Sequence, residues 1–183
     1  ILETKHPFLQ ILRGVTVALT VAFFTIGLSF VPLADAVAIT FITPIIITIL
    51  SAYLLGERVG KRRWAAVIIG FFGTVMITQP SFDNFNSGLL FPFLAAMFFA
   101  IRQIISRQVS HNDSVQTTVA YTALTSFFFL SVCLPFFWIK VPSELDAFML
   151  ISLSAFSAVG EIFIIYALSI GLAVVVTPIH YTM

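Results

Sequence analysis

The chain has 183 residues, 60% of them apolar and only 9% charged, with a formal net charge of +1 and a mean hydropathy of +1.08. A soluble domain carries about 25% charged residues, so this composition excludes one. The small net charge says little, no nucleic-acid partner is expected, and the single cysteine, Cys133, excludes an internal disulfide or a cysteine-based metal cluster.

The apolar residues form runs free of Asp, Glu, Lys and Arg over residues 15–34, 36–56, 64–80, 84–101 and 114–139. A further run over 147–171 contains one charged residue, Glu161. A hydrocarbon core about 30 Å thick takes roughly 20 residues of helix, and roughly 18 uncharged residues make a credible span. The sequence therefore predicts an all-α polytopic membrane protein with six full transmembrane helices, and a partial seventh beginning near Leu172.

The breaks between spans carry turn chemistry. His6-Pro7 and Arg13-Gly14 precede the first span, and Pro32 interrupts the chain before the second. Residues 56–63 are basic, and residues 79–88 form a polar loop. Residues 107–114 and 140–146 separate the later spans, and Gly171 ends the sixth. The opening Ile-Leu-Glu-Thr-Lys-His-Pro has no basic region leading into an apolar core, so no cleavable signal peptide is expected. A start without Met and an end inside an apolar run read as a piece of a longer chain.

Orientation follows from Lys and Arg, which are retained on the cytoplasmic side. Lys5, Arg13, Arg58, Lys61, Arg62, Arg63, Arg102 and Arg107 fall on one side of an alternating chain, and Lys140 falls on the other. This places residues 1–13 in the cytoplasm and the loop 79–88 outside.

Glu161 is the sharpest candidate for function. An ionised side chain at the bilayer centre costs about 2.5–3.5 kcal/mol on insertion scales, so it is kept facing a bundle interior or a watery cavity. Ser154 and Ser157 precede it by seven and four positions and share its helix face. Two readings follow: a substrate-cation or proton site, or a protonated Glu bonded to a neighbouring helix. The second span carries Thr40, Thr43, Thr48 and Ser51 around Pro44, which removes the bond to the Thr40 carbonyl. That gives either a gating helix or a fixed bend held by threonine hydroxyls.

Other polar residues have structural explanations. Thr118, Tyr121, Thr122 and Thr125 line a pathway or glue helices together, while Ala66, Gly70 and Gly73 form a small-residue packing face. Asp35 suits a helix N-terminus, Glu57 suits a pairing with the adjacent basic cluster, and Arg102 can snorkel toward the inner surface, though it is the one cation kept as a site candidate. His6, His111 and His180 are scattered, so no metal site is expected. No nucleophile elbow, zinc-protease helix or glycine-rich phosphate loop is present, so neither enzymatic activity nor a cofactor is expected.

Pro32-Leu33-Ala34-Asp35-Ala36, Pro44, Leu54-Leu55-Gly56-Glu57-Arg58, Gly70 and Gly73 together resemble the end of an EamA domain. Ala95-Ala96, Ala100, Arg107, Tyr121, Tyr166-Ala167-Leu168 and Pro178-Ile179-His180-Tyr181 are similar to a second one. The resemblance is to EamA-type permeases of the drug/metabolite transporter superfamily. It implies two repeats of inverted topology, the chain holding the C-terminal part of the first (1–80) and the N-terminal part of the second (81–183). It also implies a small-molecule solute moved across the cytoplasmic membrane by alternating access, with lipid as the surroundings. The central cavity of that family maps onto Thr16, Thr20, Thr40, Thr43, Pro44, Ser157, Glu161 and Tyr181. A carboxylate at Glu161 departs from the usual uncharged polar residue and favours a cationic substrate or proton coupling. The contrasting class is a non-transporting subunit or scaffold, which predicts a dry centre with Glu161 paired.

Overall fold

The computed structural model describes residues 4–78, 87–109, 113–137 and 143–170. It is all helical over the described residues: α1 (Pro7–Leu28), α2 (Leu33–Thr40), α3 (Thr43–Leu54), α4 (Lys61–Thr78), α5 (Leu90–Val109), α6 (Val115–Phe137) and α7 (Glu144–Ile170). A single 3₁₀ turn, Ser87–Leu89, leads into α5. The protein is a polytopic membrane helical bundle. The partial seventh span expected after Leu172 lies outside the described residues.

Among the described residues, five helical segments are long and apolar enough to cross a bilayer, with α2 and α3 counted as one broken segment. The third predicted span is the exception. Lys61, Arg62 and Arg63 lie inside α4, which leaves 15 uncharged residues over 64–78, and the rest of the predicted run lies outside the described residues.

Helix boundaries follow the sequence signals. Pro7 opens α1, where its fixed φ suits the first turn and its missing N–H costs nothing. The helix closes with the N–H groups of Phe30 and Val31 on the Gly27 carbonyl, at 2.9 and 3.0 Å. Asp35 sits in the first turn of α2, against the positive end of its dipole. At the end of α3, Gly56 adopts φ +65°, a conformation that glycine takes without steric cost, and the Glu57 N–H returns to the Ser51 carbonyl at 3.2 Å.

α5 is central and packs against α1, α2, α3 and, at its far side, α7. Close approach of α1 to its neighbours depends on two glycines. A methyl at Gly14 would stand 2.5 Å from Thr125 Cβ on α6, and one at Gly27 would stand 2.7 Å from Pro92 Cδ on α5. Phe23 stacks on Phe98 and Phe91, and Phe30 stacks on Phe91, along the α1–α5 contact. Ile47, Ala100 and Ile104 form an apolar core between α3 and α5. The expected small-residue face of α4 is not used in this way at Gly73, where an added methyl would meet nothing within 4 Å.

Candidate functional site

The site begins with two arginines inside the helical segments. Arg13 is the seventh residue of α1 and fully buried. Arg102 is the thirteenth residue of α5 and 7% exposed. Charge counting assigns both to the cytoplasmic ends of their spans; the structure instead turns both inward onto Glu161 of α7. Arg13 Nη2 lies 2.6 Å from Glu161 Oε1, and Arg102 Nη1 lies 2.8 Å from Oε2. Glu161 is therefore neither a lone carboxylate nor a neutral hydrogen-bonded acid but the shared anion of two ion pairs.

The arginines are held from behind. Arg13 Nε donates to Ser106 Oγ at 2.5 Å, and its Nη1 donates to Thr122 Oγ1. The Arg102 guanidinium lies over the Phe99 ring, 4.4 Å from its centroid. Behind Arg13, the Gln10 amide donates to Thr118 Oγ1 at 3.1 Å and to Asp113 Oδ2 at 2.8 Å, extending a polar seam from Glu161 to the α5–α6 turn. Thr118, Thr122 and Thr125 of α6 thus serve the α1 interface. Glu57 pairs with Arg107 of α5 at 3.6 Å.

One hollow reaches this cluster, and a second lies beside it. The larger, about 630 Å³, is bounded by α1, α5, α6 and α7 and lined by Thr20, Phe99, Arg102, Thr122, Ser157 and Glu161 among others. The smaller, about 260 Å³, is lined by Thr20, Phe24, Thr40, Thr43, Pro44 and Phe99. Thr20 and Phe99 border both, so they form the partition between them. A third hollow, about 520 Å³ between α2, α4 and α5, is almost wholly apolar and presents no charged side chain.

The structure brings Thr20, Thr40, Thr43, Pro44, Ser157 and Glu161 to these two adjacent hollows. Thr16 is buried and bonded to the Arg13 carbonyl at 2.7 Å, and it lines neither. Tyr181 lies outside the described residues. At Pro44, the Thr40 carbonyl deprived of its backbone donor accepts the Thr43 hydroxyl at 2.6 Å, and the segment divides into α2 and α3 there. Arg13 and Phe99 are absent from the sequence-derived set. The signal for Arg13 was its place on the same helix as Thr16 and Thr20, but its burial depends on tertiary packing.

Residues 4–79 match the EamA-like transporter family. An S-adenosylmethionine uptake transporter of Rickettsia prowazekii is 30% identical over 181 residues, which is 98% of this chain and 61% of that protein. Residues 4–79 thus carry an EamA-like transporter family domain. A riboflavin transporter of Vibrio cholerae is 37% identical over 94 residues, 51% of this chain and 32% of that protein. A pseudopaline exporter of Pseudomonas aeruginosa is 27% identical over 179 residues, covering 93% of this chain and 61% of that protein. A crystal structure of another protein superposes with a TM-score of 0.72 at 18% identity, over 96% of this chain and 74% of that one, a likeness of fold. The chain spans 61% of the length of the Rickettsia and Pseudomonas relatives.

Proposed function

We propose that the intact protein moves a small organic metabolite across a bacterial cytoplasmic membrane by alternating access. The observation that carries this reading is the pair of adjacent hollows, about 260 and 630 Å³, that share Thr20 and Phe99 as walls, the larger ending on Arg102 and Glu161 of the ion-pair cluster. Irregular backbone is tolerated at membrane depth where it lines a cavity, and the broken α2–α3 segment lines the smaller hollow. In this reading Pro44 and the Thr43 hydroxyl form a hinge within repeat 1–80 that permits it and repeat 81–183 to rock about the site. Residues 1–13 face the cytoplasm and the loop 79–88 faces outward.

The relatives are named for S-adenosylmethionine, riboflavin and pseudopaline. S-adenosylmethionine is the first candidate for this chain: it joins an adenine ring, suited to stacking on Phe99, to a charged amino-acid head. Glu161 takes part in proton or cation linkage only when it releases Arg13 or Arg102. The test is uptake of labelled S-adenosylmethionine by cells expressing the intact protein against an empty-vector control. Uptake above the control supports the reading, and none at equal membrane expression removes this substrate.

The double pairing of Glu161 favours one competing reading, a non-transporting membrane subunit in which the cluster only ties helices together. The hollow against Glu161, whose side chain keeps 22% of its surface accessible, weighs against it.

A further inference from the structure

The cluster is not electrically balanced. Arg13 and Arg102 bring two positive charges to the one negative charge of Glu161. Among the described residues, Glu57 pairs with Arg107, and Asp113, held by the neutral donors of Thr4, Gln10 and the Lys5 backbone, makes no ion pair with either arginine. An uncompensated cation inside a membrane bundle is costly and is met by a partner or by water. The two arginines are not equivalent. Each guanidinium nitrogen of Arg13 has a partner, in Ser106, Thr122 and Glu161, and the residue is fully buried. Arg102 has Glu161 as its hydrogen-bond partner on Nη1, its Nε is buried without one, and it lines the larger hollow.

The hydroxyls around that hollow complement it. Thr20 donates to the Thr16 carbonyl at 2.8 Å, Ser126 to the Thr122 carbonyl at 2.5 Å, and Ser154 to the Leu150 carbonyl. A hydroxyl whose hydrogen is spent on its own helix presents only acceptor lone pairs to a solute. The hollow thus offers one under-used guanidinium, suited to a carboxylate, and a wall of acceptors suited to an ammonium.

From these observations we propose that Arg102 is a solute-carboxylate subsite, and that the solute class is a zwitterionic metabolite with an amino-acid head, its carboxylate on Arg102 and its ammonium on the hydroxyl oxygens. The inference rests on the transport reading and narrows it: a neutral ring compound without a carboxylate does not satisfy the cluster.

The test uses the purified intact protein in detergent and two probe pairs that differ only in the carboxylate: S-adenosylmethionine with its decarboxylated form, and L-phenylalanine with phenethylamine. Binding is read by thermal stabilisation and equilibrium dialysis. In each pair that binds, the carboxylate member binds about tenfold to a hundredfold more tightly, the scale of one charge-assisted hydrogen-bond pair. Arg102→Gln abolishes that difference, and Arg102→Lys keeps part of it. Equal binding of both members to the native protein overturns the subsite whether or not the variants fold, as does the absence of binding by either carboxylate. Binding of L-phenylalanine but not S-adenosylmethionine leaves the subsite standing and removes only the proposed substrate.

Discussion

Arg13 Nη2 and Glu161 Oε1 are 2.6 Å apart and 148 residues apart in the chain, so one ion pair joins the first described helix to the last. α7 exposes most of its apolar surface, including Phe148, Phe156 and Phe163, and Glu161 is its polar tie to the bundle. Replacing the carboxylate leaves two buried guanidinium groups without their anion. Glu161→Gln is therefore expected to cost about 3–5 kcal/mol, read from unfolding of the intact protein in mixed micelles. Adding Arg13→Met to Glu161→Gln recovers part of that loss, because the stranded charge goes with it. An additive double variant would show that the two groups do not interact.

The bend at Pro44 makes a separate prediction. The Thr43 hydroxyl supplies the donor that Pro44 denies to the Thr40 carbonyl. Thr43→Val keeps the shape and removes that donor, leaving a half-buried acceptor unmet at a cost of about 1 kcal/mol. Pro44→Ala restores a backbone N–H and straightens the segment. It is expected to raise the thermal midpoint while slowing transport, since the hinge stiffens. A slower and less stable Pro44→Ala variant would argue that the bend is needed for folding.

Glycine positions separate packed faces from open ones. Gly14→Ala drives a methyl against Thr125 Cβ, a branched carbon fixed to the α6 backbone, so α1 and α6 must separate at a cost of about 1–3 kcal/mol. Gly73→Ala meets nothing within 4 Å and removes a poor helix former, so it is neutral or stabilising by up to about 1 kcal/mol. Melting curves of the two variants should move in opposite directions or differ clearly in size.

Asp113 makes the bundle acid-sensitive at the α5–α6 turn. Partial burial acts to raise its carboxyl, but the bonds donated by the Thr4 hydroxyl, the Gln10 amide and the Lys5 N–H outweigh it and hold the group below the usual carboxylate range. A carboxyl lower in the folded than the unfolded state contributes stability above the unfolded value, and that contribution is lost as pH falls through the folded one. Asp113→Asn should flatten stability against pH below the usual carboxylate range and leave the neutral-pH slope unchanged. Thermal melts from neutral pH into that range check this.

The helices are legible in the sequence because lipid requires long uncharged runs, and Pro7, Pro32 and Gly56 mark their ends. The break at Pro44 and the role of Glu161 as a focal charge are legible for the same reason: each violates the pattern around it. The partners of Glu161 are not, because Lys and Arg near a span end read equally well as topology signals. Nothing local distinguishes Lys5, which is exposed, from Arg13, which is fully buried. Glu57 shows the same limit. Its chain neighbours are Arg58, Lys61, Arg62 and Arg63, yet the turn at Gly56 brings it to Arg107 on α5.

The most direct test of the solute pathway is labelling at Ser157, which lines the larger hollow four residues before Glu161. In an intact protein freed of other cysteines, including Cys133, Ser157→Cys should react with a small membrane-impermeant thiol reagent, and S-adenosylmethionine should slow that reaction. If the introduced thiol stays unreactive in the folded protein from both sides of the membrane, the centre is dry and the pathway is contradicted.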